Sequence, residues 1–145
     1  MKRTLTKTAD GSYTLYVPEL DEHYHSIHGA LQEANHVFIK HGLEPIKDRS
    51  SIRVLEMGLG TALNAYLSYQ WAKKNKLTLW YSGVEAYPVE SELITTCLKE
   101  IGVCYFDTTK RCMVKGKNWD RFVSGESWNW FTMRTGSREY STINY

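Results

Sequence analysis

Two glutamates bracket the residues best suited to chemistry. Glu56 ends an apolar run within "IRVLEMGLGTALNAYL" (52–67), and Gly58, Gly60 and Ala62 follow it at alternate positions. Glu85 ends a second run, "LTLWYSGVEAYP", about 25 residues beyond Gly60. Glycines let a ligand come close to the backbone. A helix opening just after them offers free N–H groups and the positive end of its dipole. An acid at the end of the next strand can accept bonds from ribose hydroxyls, and ~20 residues is its usual distance in a dinucleotide site. The pattern is that of a cofactor loop.

Spacing then selects the cofactor. The dinucleotide fingerprint is G-x-G-x-x-G/A. Counted from Gly58, its last position falls on Leu63, which is too large for close helix–strand packing. Glu56 directly before the loop would also repel a pyrophosphate. An anion there suits a ligand with a positive centre and no phosphate. S-adenosylmethionine, with its sulfonium and amino group, fits that description. Two other readings stay open. One is a plain strand–helix turn with structural glycines and surface glutamates. The other is a small dinucleotide-binding oxidoreductase, which Leu63 disfavours.

The elements around the loop follow from periodicity. "KRTLTKTADGSYTLYVPEL" predicts a β-hairpin, with Asp10-Gly11 in the turn and Pro18 ending the second strand. Tyr13, Leu15 and Val17 alternate with polar Thr14 and with Tyr16. Ile27, Ala30, Leu31, Ala34, Val37 and Phe38 recur at helical spacing, which predicts about four turns from near Ile27 to near His41. Ser26 is the expected N-cap, and Gly42 the residue past the C-terminus. "SIRVLEMG" reads as a buried strand, "TALNAYLSYQWAKKNK" as an amphipathic helix, "LTLWYSGVEAYP" as a strand, and "VESELITTCLKEIG" as a helix that Pro88 introduces and Gly102 follows. Strand, helix, strand, helix means a parallel sheet. After Gly102 the text changes. "VCYFDTTKRC" is a candidate third strand, and the remainder has no clear period.

With 145 residues, 42% hydrophobic and 23% charged, the chain fits one packed domain. A net charge of +2 argues for neither nucleic acid nor membrane. Cys97, Cys104 and Cys112 form neither a disulfide framework nor a zinc spacing, which points to a reducing cytoplasm. The start "MKRTLTKTADG" lacks the apolar core of a signal peptide, and no run reaches the ~20 apolar residues of a membrane helix. All five histidines lie between His23 and His41, and His25-x-x-His28 lacks a third ligand, so no metal is expected. Trp119, Trp128 and Trp130 near Lys115, Lys117 and Arg121 are read as ordinary packing rather than a base-stacking surface. Cys97 is read as a core residue.

Two motifs, "ELDEHYHSIHGALQEANHVF" and "LEMGLGTALNAYL", resemble one family in order and spacing: the MnmC-type methyltransferases, which complete 5-methylaminomethyl-2-thiouridine at the tRNA wobble position. The first is similar to the family's Y-x-S-x-x-G-x-x-E-x-x-x-V-F, the second to its E-x-G-F-G-T-G-L-N. The resemblance covers about residues 4 to 95. It implies an α/β, Rossmann-like fold with an N-terminal β-hairpin and helix, binding S-adenosylmethionine. Glu56, Gly58, Gly60, Thr61 and Asn64 would form the methionine-side loop, Glu85 would hold the ribose, and Tyr24, Ser26, Gly29 and Glu33 would line the site. It further implies tRNA as a partner and an FAD-dependent oxidoreductase as a neighbouring domain or protein. Leu59 replaces the family's Phe and Ala62 its third Gly. The family's Asp-x-Phe-x-Pro-type loop over the reacting amine is not found. Residues 1–51 are therefore expected to form the hairpin and helix, 52–102 the first βαβα unit, and 103–145 an atypical tail. The domain is expected to be incomplete at its C-terminal end, as in a truncated or frame-shifted product, with little or no methyl transfer. A non-catalytic fragment that binds the cofactor or a protein is the alternative, and an exposed sheet edge would favour self-association.

Overall fold

A computed structural model describes residues 1–99 and, further on, the backbone of four strands. The chain begins with β1 (Thr4–Lys7) and β2 (Tyr13–Val17), an antiparallel hairpin, to which β3 (Glu22–His23) adds a third strand. Gly11 in the turn has φ +85°, the left-handed conformation that calls for glycine there. Thr14 does not follow the predicted alternation. It is fully buried, because its hydroxyl accepts the backbone N–H of His25 at 2.9 Å.

Helix α1 (Ala30–Ala34) opens later than the sequence suggests. Gly29, not Ser26, is the N-cap, and Ser26 Oγ instead accepts the N–H of His28. The helix start is held from a distance by Asp10 in the hairpin turn, which accepts the N–H of Gln32 at 2.9 Å. The same carboxylate accepts from Thr8 Oγ1 and Ser12 Oγ, both at 2.6 Å, and from the Ser12 N–H. Partial burial pushes this carboxyl up, but these bonds outweigh it and bring it down to about 2. Asp10→Ala is expected to cost about 1–2 kcal/mol, the range for a lost helix cap, measured by urea denaturation. The folded form's pKa lies below the unfolded one. Asp10's contribution is therefore complete above pH 4 and is lost as pH falls towards about 2.

From Asn35 to Leu43 the winding is π-helical, and a short 3₁₀ turn, Glu44–Ile46, follows. The change falls where Asn35 Nδ2 donates to the Leu31 carbonyl at 2.9 Å, a local bond that competes with the α ladder. Gly42 lies inside this winding rather than beyond it. Ile27, Val37 and Phe38 are 48%, 50% and 40% exposed, so half of the predicted apolar stripe faces outward.

The parallel unit forms as predicted. Strand β4 (Ser51–Met57) pairs in parallel with β5 (Thr78–Glu85), and α2 (Leu63–Lys74) connects them. Ile52 and Glu56 on β4 and Leu79 and Tyr81 on β5 form the buried face. The other face of β4 departs from the buried reading: Leu55 is 65% and Met57 73% exposed. Helix α2 is not amphipathic in its first two turns, since Leu63–Ser68 are buried on every side between the sheet and the N-terminal helix. Trp71 Nε1 donates to Glu44 at 2.9 Å and ties α2 to the 3₁₀ turn. Helix α3 (Ser91–Lys99) buries Ile94, Cys97 and Leu98, with Cys97 pushed up to about 11 by burial.

Four strands complete the description. The candidate third strand contains β6 (Tyr105–Asp107), but it pairs antiparallel with β7 (Cys112–Val114) in a separate sheet. β9 (Asn129–Arg134) runs antiparallel beside β5, and β8 (Val123–Ser124) beside β9. The main sheet is therefore mixed, in the order β4-β5-β9-β8. The predicted roles of Gly102 and of the basic and aromatic side chains of the tail lie outside the described residues.

Candidate functional site

The loop from Gly58 to Ala62 joins β4 to α2 at the carboxyl ends of the parallel strands, where open α/β sheets bind ligands. Gly58 and Gly60 have φ of +82° and +54°. Ala62 is also left-handed, at φ +60°, a conformation that side-chain-bearing residues rarely adopt. The turn keeps the conformation that glycine would adopt freely, and Ala62 carries its strain in a buried position. Leu63 packs in the core behind it.

The loop's donors face inward. The N–H groups of Gly58 and Leu59 go to Val84 O at 2.8 and 3.2 Å, and that of Gly60 goes to Glu85 Oε2 at 2.8 Å. The other oxygen of Glu85 accepts the Tyr87 N–H at 2.9 Å. A carboxylate thus occupies the donor that a phosphate-binding loop would leave open.

Glu56 lies beneath, buried. Its oxygens accept from Asn64 Nδ2 at 2.9 Å and from the Tyr81 hydroxyl at 2.8 Å. Burial raises its pKa, and the bonds from Asn64 and Tyr81 oppose the rise. Asn64 Oδ1 is buried and has no hydrogen-bond partner among the described residues. The site therefore combines an anion with an acceptor lacking a donor, a combination that suits a ligand bearing N–H groups and positive charge.

The N-terminal segment forms the upper wall. A Cβ built on Gly60 would lie 2.9 Å from the Tyr24 ring, so the two are in contact. His25 Nε2 lies 3.2 Å from Thr61 Oγ1, and its Nδ1 lies 3.9 Å from Glu33 Oε2. The same Glu33 oxygen accepts the Ser26 N–H at 2.8 Å. Gly29 is pressed against Asp10 and serves the helix start, not the loop. So Glu56, Gly58, Gly60, Thr61, Asn64, Glu85 and Tyr24 come together at the loop. Ser26 and Glu33 reach it only through His25. Tyr81 and Arg3, which donates to the Tyr24 hydroxyl, were not signalled by the sequence, because both act across long separations. Among the described residues no three of His, Cys, Asp and Glu gather as a metal set, and no helix is long and apolar enough to cross a membrane.

Burial lowers the pKa of His25 from 6.5, against a smaller opposing effect of Glu33. The folded state then binds fewer protons than the unfolded chain. His25's contribution is complete above pH 6.5 and is lost as pH falls through the lowered value. Urea midpoints measured between pH 7.5 and 5 are expected to carry this slope, and His25→Gln should flatten it. Glu56 has the opposite sign, since a raised carboxyl loses stability as pH rises above 4.5.

Fold and site together define an α/β, Rossmann-like domain with an N-terminal hairpin and helix and an acidic glycine loop. Among solved structures it is similar to that of MNMC2 from Aquifex aeolicus, with a TM-score of 0.57 and 26% identity. The match covers 69% of this chain and 37% of that one, and it supports an MnmC-like fold. No protein-family model matches the chain, and no curated protein matches it significantly.

Proposed function

We propose that the Gly58–Ala62 loop holds S-adenosylmethionine and that the chain is a methyltransferase-like domain directed at the amine of a modified wobble uridine in tRNA. The observation that carries the cofactor is the bond from Gly60 N–H to Glu85. It places a carboxylate where a dinucleotide loop would cradle phosphate, and Glu56 adds a second anion below. The likeness to MNMC2 supports the methyltransferase class, and the sequence resemblance supports the tRNA substrate. A flavin-dependent partner, self-association through a sheet edge and a cytoplasmic location are supported by the sequence reading alone.

Bound S-adenosylmethionine supplies a methyl group on a positively charged sulfur. Glu85 keeps one lone-pair site on each oxygen for ribose hydroxyls while holding Gly60 and Tyr87. Glu56 and Asn64 Oδ1 offer acceptors to the amino acid end. Attack by a neutral amine needs alignment more than a strong base.

Titration calorimetry with S-adenosylhomocysteine and with NAD tests the site. Heat with the first and none with the second is expected, and the absence of heat with the first would sink the cofactor assignment. An assay of methyl transfer to undermodified tRNA separates a catalyst from a binding fragment: turnover that depends on S-adenosylmethionine identifies the first, and its absence in a chain that binds the cofactor identifies the second.

A further inference from the structure

We infer that Arg3 is a positioning residue for the glycine loop, closing a ring of contacts that holds Tyr24 over Gly60 and fixes Glu85 beneath it. Arg3 precedes β1 and is remote from the loop in sequence, yet its side chain is only 4% exposed. Nε donates to the Tyr24 hydroxyl at 2.9 Å, Nη1 reaches both oxygens of Glu90 at 3.2 and 3.3 Å, and Nη2 donates to the Tyr87 carbonyl. The planar guanidinium fork serves these three directions at once, which a lysine ammonium on a flexible stem does not do in a fixed geometry. Glu90 is half exposed, so its ion pair is worth little alone. The other two bonds carry the positioning.

The contacts form a closed circuit. Arg3 holds the Tyr24 hydroxyl, and the Tyr24 ring lies against Gly60. Gly60 donates to Glu85, whose other oxygen accepts from Tyr87, and the Tyr87 carbonyl returns to Arg3. The hairpin and the segment after β5 are thereby locked to each other across the loop. A ligand that draws on Glu85 meets a carboxylate whose orientation Arg3 has set from both sides. This last step rests on the cofactor reading above, whereas the circuit itself does not.

The test is backbone amide exchange by NMR on the full chain. Arg3→Ala should speed exchange at the Gly60 and Tyr87 amides about tenfold or more. The Leu77 amide, bonded to Ala72 O away from the circuit, should stay within twofold. Arg3→Lys should behave like alanine. Equal acceleration at all three amides, no acceleration, or full protection restored by lysine would overturn the inference. If Arg3→Ala does not fold, Tyr24→Phe removes only the bond to Arg3 and should speed Gly60 about threefold, and an unchanged rate would overturn it. In a second arm, S-adenosylhomocysteine should leave Arg3→Ala about tenfold faster than the wild type, and an equal dissociation rate would overturn Arg3's part in ligand retention. A wild type that does not bind this probe defeats the cofactor reading, while amide exchange still decides the role of Arg3.

Discussion

Glu85→Ala is expected to weaken S-adenosylhomocysteine binding by about 1.5–3 kcal/mol, roughly 10- to 150-fold, as judged by calorimetry. The carboxylate has two jobs, and alanine ends both. It removes the charged acceptor proposed for the ribose, and it leaves the Gly60 and Tyr87 N–H groups without their partner. Glu85→Gln keeps one acceptor oxygen for two N–H groups, so its loss should fall between alanine and wild type. Because the glycine loop is bonded to Glu85, the variant should also loosen the loop. An unchanged affinity in Glu85→Ala would remove this residue from the site.

Glu56→Ala is expected to act first on the fold. Two buried donors, Asn64 Nδ2 and the Tyr81 hydroxyl, lose their acceptor. Ser68 also bonds the Tyr81 hydroxyl, but as a donor, so it does not replace the lost acceptor. We expect about 2–3 kcal/mol less unfolding free energy in urea, the range for stranding such groups. Glu56→Gln should cost less than alanine, since its carbonyl still accepts from Tyr81; Asn64 must turn its amide round to give its oxygen to the new NH2, which leaves Asn64 Nδ2 without this acceptor. The amide has no charge. The glutamine variant should therefore stay folded, lose the part of the pH dependence that Glu56 contributes, and bind a cationic ligand more weakly than the wild type. Unimpaired binding by Glu56→Gln would mean that the buried anion serves the fold and not the ligand.

The legible parts of this chain are those whose causes lie close together in sequence. Strand β4, helix α2 and strand β5 announce themselves by an apolar run, a glycine break and a second run, and the acid at position 85 follows from its distance to the loop. What escaped has distant causes. Ser26 looks like a helix cap, but the helix start is capped by Asp10, a residue from the hairpin turn. Thr14 looks like a surface residue because its partner, the backbone of His25, comes from another strand end. Ala62 shows its identity in the sequence but not its φ, which the bonds from the loop to Val84 and Glu85 impose. In the site, Glu56 and Asn64 stand in or beside the glycine motif, yet the Tyr81 hydroxyl that completes the cluster lies 25 positions from Glu56 and carries no local sign of its role. The outward face of β4 has no sign in the sequence, because a run of apolar residues gives no hint of which side a helix will cover.

That outward face makes Met57 a chemical reporter. With its side chain 73% exposed, its thioether stands open to mild peroxide, whereas the neighbouring Glu56 is turned inward. Mass-spectrometric footprinting should find Met57 among the first sites converted to sulfoxide. Slower conversion in the presence of another molecule would register coverage of this side of the sheet, independently of any event at the glycine loop.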